Sequence, residues 1–193
     1  MPNGDPLNST LTSAQLPQGP LSLPDQSDPH HHLWTLLESV VDPEIPVVSL
    51  REMGVLRAIR EGQRGLEVVI TPTYSGCPAM SQMHDDVASA LQAAGVQASI
   101  VTELSPAWSS DWITAEAKHK LKTYGIAPPH ACRQASDQVV HIHQRANHSP
   151  VAVACPQCGS LNTTETSHFG STACKAMYRC LDCLEPFDYF KPY

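Results

Sequence analysis

Two short cysteine motifs lie near the end of the chain: CPQCG at 155–159 and CLDC at 180–183. A Cys-x-x-Cys pair places two sulfurs on one tight turn, and two facing turns supply the tetrahedral four-sulfur set of a structural zinc site. An iron–sulfur cluster on the same cysteines is the alternative, and the regularity of the two motifs favours zinc. The spacing therefore predicts a zinc site with four ligands: Cys155, Cys158, Cys180 and Cys183.

The residues around these motifs predict a small β domain, a zinc ribbon, over 151–193. The runs VAVA at 151–154 and AMYR at 176–179 have the composition of hairpin strands. So short a segment has too little apolar core to fold without a metal. Cys174 and His168 lie between the motifs and are candidate spare ligands, although packing is their simpler role because a four-sulfur site is already complete.

The region before the ribbon alternates helical and extended patterns over 30–130. Apolar residues recur at helical spacing over 33–41 and 79–94, and Thr114 is placed to cap a third helix. Extended runs at 55–60 and 66–71 flank a loop with two glycines and predict a hairpin, and another strand is expected over 96–104. The chain is therefore predicted to be α+β: a three-stranded sheet with about three helices, followed by the small ribbon.

Two further segments and the overall charge limit the function. Residues 1–29 are rich in Pro, Ser, Gln and Asn and predict a disordered tail, and the polar stretch 131–150 predicts a linker. The 193 residues carry a formal net charge of −7, which disfavours binding to the phosphates of nucleic acid. No apolar run is long enough for a membrane span. Seven cysteines without an export signal predict a cytoplasmic protein.

A separate cysteine, Cys77, lies between a predicted strand and a predicted helix in the stretch TPTYSGCPAM at 71–80. At or near a helix N-cap the unpaired amides favour a thiolate, so we expect a lowered pKa for Cys77. Such a thiol can act as a nucleophile, a redox sensor or a soft metal ligand. The simpler alternative is a small buried residue that closes the turn. Asp42 and Glu44 are acidic residues that could accompany the thiol.

The stretch DPEIPVVSLREMGVL at 42–56, together with TPTYSGCPAM, resembles the MIP18 (DUF59) family, whose members assist iron–sulfur cluster assembly. The stretches PAWSSDWIT at 106–114, FGSTACKAMYRC at 169–180 and CLEPFDYFK at 183–191 are in addition similar to the PaaD family. That family is encoded with the phenylacetyl-CoA epoxidase of aerobic phenylacetate degradation. The resemblance begins after the N-terminal tail and runs to the ribbon.

The resemblance implies an accessory protein that is not itself an enzyme. It implies that Asp42, Glu44 and Cys77 form the functional motif and that Cys77 is a transient iron–sulfur ligand. Its expected partners are the epoxidase components, above all the reductase with its flavin and iron–sulfur cluster. One thiolate cannot hold a 2Fe–2S cluster that needs four ligands, which makes a homodimer attractive. A stoichiometric non-catalytic subunit, or an adaptor in which Cys77 is only structural, is the alternative.

Overall fold

The computed structural model describes residues 16–130 and 152–193. In chain order the elements are α1 (His31–Leu37), β1 (Val41–Asp42), β2 (Ile45–Ser49), β3 (Leu56–Gly62), β4 (Gly65–Ile70), α2 (Met80–Ala93), β5 (Ser99–Thr102), a 3-10 turn (Ser110–Trp112), α3 (Ala115–Tyr124), β6 (Ile126–Ala127), β7 (Thr163–Ser167), β8 (Lys175–Cys180) and β9 (Pro186–Phe190). The predicted α+β class is confirmed. No helix within these two ranges is long and apolar enough to cross a bilayer.

The predicted three-stranded sheet is confirmed and has the order β3-β4-β5. β3 and β4 form the expected antiparallel hairpin, and β5 joins β4 in parallel after the crossover through α2. The end of β4 is fully buried at Val68, Val69 and Ile70. The helix α2 contributes Met83, Val87 and Leu91 to the core, because their spacing of four residues places them on one face.

Both ends of α3 are capped by residue types that favour helix ends, Thr114 at the N-terminus and Gly125 at the C-terminus. The Thr114 side chain accepts a hydrogen bond from the amide of Ala117 at 3.1 Å, which satisfies one free donor of the first turn. Gly125 ends the helix with φ of 98°, a left-handed conformation that glycine adopts without a steric penalty. The chain passes directly from this glycine into β6.

The ribbon sheet includes a strand from the preceding region. Its order is β6-β9-β8-β7, with β6 parallel to β9 and the other pairs antiparallel. Phe190 at the end of β9 is 1% exposed and belongs to the large core under the three-stranded sheet. Residues 152–154 are not a strand, contrary to the expectation for VAVA; Val153 instead packs beside Cys155 and Cys180. The expected linker, 131–150, lies outside the described residues.

The segment before α1 differs from the expected disordered tail. Over 16–29 the chain has no helix or strand, yet Leu16 is 5% exposed and Leu21 packs against the large core. The buried guanidinium of Arg57 donates to the carbonyls of Gly19, at 3.2 Å, and Pro17. These carbonyls accept from a buried cation that also lies over the Trp112 ring, 4.0 Å from its centroid, and they favour packing of the segment here. Residues 1–15 lie outside the described residues.

Candidate metal sites

The four cysteines of the two motifs come together at the tip of the ribbon. Their sulfur atoms all lie within 4.8 Å of one another. The sulfurs of Cys155 and Cys183 are 3.8 Å apart, and those of Cys158 and Cys180 are 3.6 Å apart. Four sulfurs bound at about 2.3 Å to one tetrahedral ion lie about 3.8 Å from each other. The cluster therefore has the dimensions of a metal site with a single ion at its centre.

Two tight turns hold these sulfurs in place. In the first, the Gly159 amide donates to the Cys155 carbonyl at 2.9 Å, and Gly159 has φ of 77°. In the second, the Cys183 amide points at the Cys180 sulfur at 3.5 Å, as expected for an amide that stabilises a thiolate. Asp182 connects the second turn to the residues that follow the first, because its carboxylate accepts from the Ser160 hydroxyl and from the Asn162 side chain, the latter at 2.7 Å.

The two candidate spare ligands lie away from this cluster. In the described part of the chain, the four cysteines are the only group of three or more His, Cys, Asp and Glu side chains placed to hold an ion. His168 instead faces Glu165 at 3.2 Å and the ring of Phe169. Cys174 directly precedes β8 and Cys180 ends it, so the two cysteines lie about 20 Å apart at the usual rise per residue of an extended strand.

Cys174 lies instead at the boundary between the ribbon and the preceding region, close to Cys77. Both cysteines line one small cavity of about 20 Å³. We call this cavity the junction pocket and define it by six of its lining residues: Asp42, Glu44, Tyr74, Cys77, Thr172 and Cys174. The predicted functional motif of Asp42, Glu44 and Cys77 is thus brought together in space, with a second thiol that the sequence did not associate with it.

The environment of Cys77 differs from the expected helix N-cap. The helix α2 begins at Met80 with Ala79 as its N-cap, so Cys77 precedes the helix. Burial of the half-buried thiol raises the pKa of Cys77, and the charges of Cys174 and Asp42 raise it further. A hydrogen bond from the Ala79 backbone acts in the opposite direction but is the smaller effect. The expected lowering of the pKa is therefore corrected to a rise.

Asp42 shapes the turn between β1 and β2. Its Oδ1 accepts hydrogen bonds from the amides of Glu44, at 2.7 Å, and Ile45, at 3.2 Å. The side chain is buried, and burial raises the pKa of Asp42 because it penalises the charged form. Glu44 in the same turn is exposed at the mouth of the pocket. One carboxylate therefore lies inside the pocket and the other at its edge.

No pattern in the sequence predicts that Cys174 lies in the junction pocket. In the alternation of an extended strand, residues 174, 176, 178 and 180 share one face, so spacing alone groups Cys174, which directly precedes β8, with Cys180 at its end. Pairing of Lys175 with Phe190 across β8 and β9 directs this end of the ribbon into the large core. Only that tertiary contact places Cys174 beside Cys77.

The comparisons with known proteins agree with both regions. Residues 31–100 match a family described as an iron–sulfur cluster assembly protein, and residues 141–191 match the PaaD zinc beta ribbon domain. The chain is 43% identical over 164 residues to an Escherichia coli (strain K12) protein provisionally named as one of the subunits of 1,2-phenylacetyl-CoA epoxidase. That alignment covers 83% of this chain and 92% of the relative.

Two solved structures are similar to the first region. A DUF59 domain from Bacillus anthracis is 26% identical, with a TM-score of 0.43, and the match covers 48% of this chain and 90% of that one. A Mycobacterium tuberculosis protein described as associated with Fe–S complex assembly and repair is 28% identical. Its TM-score is 0.30, and the match covers 55% of this chain and 98% of that one.

The fold, the four-cysteine cluster and the two family matches together define a DUF59-type domain joined to a zinc ribbon. Within that class, the chain belongs to the PaaD family, together with the E. coli relative that bears the name of an epoxidase subunit.

Proposed function

We propose that this chain is an accessory protein of the phenylacetyl-CoA epoxidase system that assists assembly of a metal centre, with the iron–sulfur cluster of the reductase as its client. The observation that carries the proposal is the half-buried thiol of Cys77 in the junction pocket, beside Asp42 and Glu44. This thiol lies in the region that matches an iron–sulfur cluster assembly family, and the E. coli relative bears the name of an epoxidase subunit.

The chemistry of the pocket suits a carrier more than a permanent cofactor site. A lasting 2Fe–2S site in a protein uses four cysteine or histidine ligands, whereas Cys77 and Cys174 supply only two. An incomplete ligand set releases its metal to a client that offers a full set. Glu44 is exposed at the mouth of the pocket, so the client has access to the site without unfolding of the domain.

We propose that the four-cysteine cluster holds zinc and has a structural role. The four cysteine ligands of an iron–sulfur cluster are divided among two or four irons, so they do not all lie as close together as sulfurs that share a single ion. The sulfur separations of 3.6 and 3.8 Å, in a group whose sulfurs all lie within 4.8 Å of one another, favour the single ion. Four sulfurs also leave no open coordination position for a substrate, as in closed structural zinc sites.

The ribbon is proposed to dock the epoxidase component that receives the metal. Three leucines next to the cysteine turns are exposed: Leu161 at 61%, Leu181 at 47% and Leu184 at 59%. Grouped apolar side chains on a surface are typical of protein interfaces. The acidic residues of the ribbon slightly outnumber the basic ones, which disfavours nucleic acid as the partner.

The test of the carrier role compares two thiol-to-hydroxyl variants. The reductase is produced together with the wild-type chain, with Cys77→Ser, or with the control Cys132→Ser, and its iron and acid-labile sulfide are measured. We expect Cys77→Ser alone to lower the cluster content of the reductase, while circular dichroism and zinc content of the variant remain those of the wild type. Unchanged cluster content in Cys77→Ser would reject the carrier role.

A stoichiometric, non-catalytic subunit is the second candidate, and the name of the E. coli relative favours it. Catalysis by this chain finds no support in its acidic and histidine residues. Two Glu-x-x-His spacings occur, at 116–119 and 165–168, but the first is on the exposed face of α3 and the second is on the ribbon. A di-iron site needs such pairs on facing helices. Full activity of an epoxidase reconstituted without this chain would reject the subunit role.

A further inference from the structure

Residues 16–21, which we call the docked segment, lie against the first region and are bound there through their backbone. Carbonyls at three alternate positions accept hydrogen bonds from arginine side chains: Arg57 donates to Pro17 and Gly19, and Arg51 donates to Leu21. Alternate positions of an extended chain face the same way, so such a chain presents these acceptors together. All three acceptors are backbone oxygens, so the two arginines form a groove that recognises a peptide backbone.

The buried guanidinium of Arg57 has an incomplete set of partners in this groove. Its two terminal nitrogens share the single carbonyl oxygen of Gly19, each at 3.2 Å. Its Nε is buried and has no hydrogen-bond partner in the described part of the chain. In that same part, Arg57 forms no ion pair, whereas Arg51 pairs with Glu38. Burial lowers the pKa of Arg57 to about 10, because it penalises the charged form.

A carboxylate suits this guanidinium better than the carbonyls do. An arginine fork binds both oxygens of a carboxylate through two parallel hydrogen bonds, which are about twice as strong as bonds to neutral acceptors. A chain that ended at the position of Gly19 would offer two oxygens where Gly19 offers one. The Trp112 ring, with its centroid 4.0 Å from the guanidinium carbon of Arg57, packs on one face of the cation and keeps it oriented.

We propose that the groove formed by Arg57, Arg51 and Trp112 binds the free C-terminal carboxylate of a partner polypeptide, and that the docked segment is its internal competitor. Capture of a chain terminus is an established mode of peptide recognition. The groove is separate from the junction pocket, whose lining does not include these three residues. This inference therefore goes beyond the proposed carrier function and does not depend on it.

The docked segment also indicates which C-terminal sequence fits. Leu16, three residues before Gly19, is 5% exposed, whereas Pro17 and Gln18 between them are exposed. A Cβ atom at Gly19 would meet no heavy atom within 4 Å, so the last residue is not restricted to glycine. The partner chain is therefore expected to end in an extended stretch with an apolar residue three positions before its terminal residue.

Two forms of one peptide test the role of the carboxylate. The peptide AQLPQG reproduces residues 14–19 and is prepared with a fluorescent label at its N-terminus, either as the free acid or as the C-terminal amide. Each form is titrated with the full zinc-loaded chain, and binding is followed by fluorescence anisotropy. We expect the free acid to bind at least about tenfold more tightly than the amide. Equal affinities, or no binding of either form, would overturn the inference.

A matched pair of arginine variants tests whether Arg57 is the site of binding. Arg57→Lys keeps the charge but removes the planar fork, so it should weaken binding of the free acid by at least about tenfold. Arg60→Lys is the control: Arg60 lies on the same strand and is paired with Glu67 and Glu103, so binding should not change. Wild-type affinity in a folded Arg57→Lys chain would overturn the inference. If that variant does not fold, the comparison of acid and amide on the wild type still decides.

A matched pair of leucine variants tests whether the docked segment competes for the groove. Leu21 packs against the large core, whereas Leu23 is 43% exposed. Because an occupied site binds a second ligand only in the fraction of molecules that are open, Leu21→Ser should strengthen binding of the free acid by at least about threefold. Leu23→Ser should leave the affinity unchanged. Unchanged affinity in Leu21→Ser would overturn the inference, since the segment and the peptide would then not share one groove.

Discussion

The chain brings cysteines together in two places, and the two places differ in how complete they are. At the tip of the ribbon, four sulfurs within 4.8 Å of one another form a closed set from a single small sheet. In the junction pocket, two thiols and two carboxylates from two regions of the chain are among the groups that line a cavity of about 20 Å³. The first arrangement is a complete four-ligand group for one ion, whereas the second places its thiols and carboxylates around one cavity without forming such a group.

The difference also concerns what each site does for the fold. Few apolar residues of the ribbon are buried near the four cysteines: Val153, Phe187 and Tyr189 are the main ones, with Ala127 from β6. The junction pocket borders the large core and needs no metal to hold its residues in place. We therefore expect metal removal to unfold one region and leave the other intact.

The largest expected effect is that of zinc removal. Binding of structural zinc is worth about 10–16 kcal/mol in isolated zinc-finger peptides, so the ribbon should unfold when a chelator removes the metal. Amide hydrogen exchange is the measurement: protection should be lost in β8 and remain in β3 and β4. Continued protection of β8 without zinc would mean that packing alone holds the ribbon.

A large effect is also expected where the ribbon enters the core. Phe190 is 1% exposed, and Phe190→Ala should lower the free energy of unfolding by about 3–5 kcal/mol, because it removes buried apolar surface and leaves a cavity. Phe169→Ala is the matched control: Phe169 is 60% exposed, and its loss should cost within about 0.5 kcal/mol. Chemical denaturation of both variants tests this. Equal effects would show that the ribbon is not anchored through Phe190.

An intermediate effect on stability is expected from substitutions of Asp42, which shapes a turn and also carries a charge. Two variants distinguish these roles. Asp42→Ala removes the acceptor of two backbone amides and should cost about 1–3 kcal/mol of unfolding free energy. Asp42→Asn keeps an oxygen acceptor and removes a charge that burial penalises, so it should cost less. Thermal unfolding at neutral pH compares them. A larger loss in the asparagine variant would show that the charge itself stabilises the fold.

The smallest expected effect is on the reactivity of Cys77. Burial raises its pKa, and only the thiolate reacts with iodoacetamide. The alkylation rate of Cys77, followed by peptide mass spectrometry on the zinc-loaded protein, should therefore reach its midpoint at a higher pH than the same cysteine in urea. A midpoint below that of the unfolded chain would restore the N-cap interpretation.

Much of the fold follows from local patterns. The hairpin of β3 and β4, the three helices and the caps at Thr114 and Gly125 lie where periodicity and capping chemistry predict them. The four-cysteine cluster also forms as its spacing predicts. The strand expected in the described residues 152–154 and the lowered pKa of Cys77 were wrong, because both depend on neighbours that local sequence does not identify.

Spacing within a few residues determines a turn, a cap or a strand face, because backbone geometry is local. Local spacing was therefore enough to predict the two cysteine turns, which begin at Cys155 and Cys180, and the three-stranded sheet. The junction pocket depends on a different kind of contact: β6 pairs with β9, and Phe190 is buried in the core of the first region. Burial of apolar surface between distant segments has no local signature, so only the tertiary structure placed Cys174 beside Cys77.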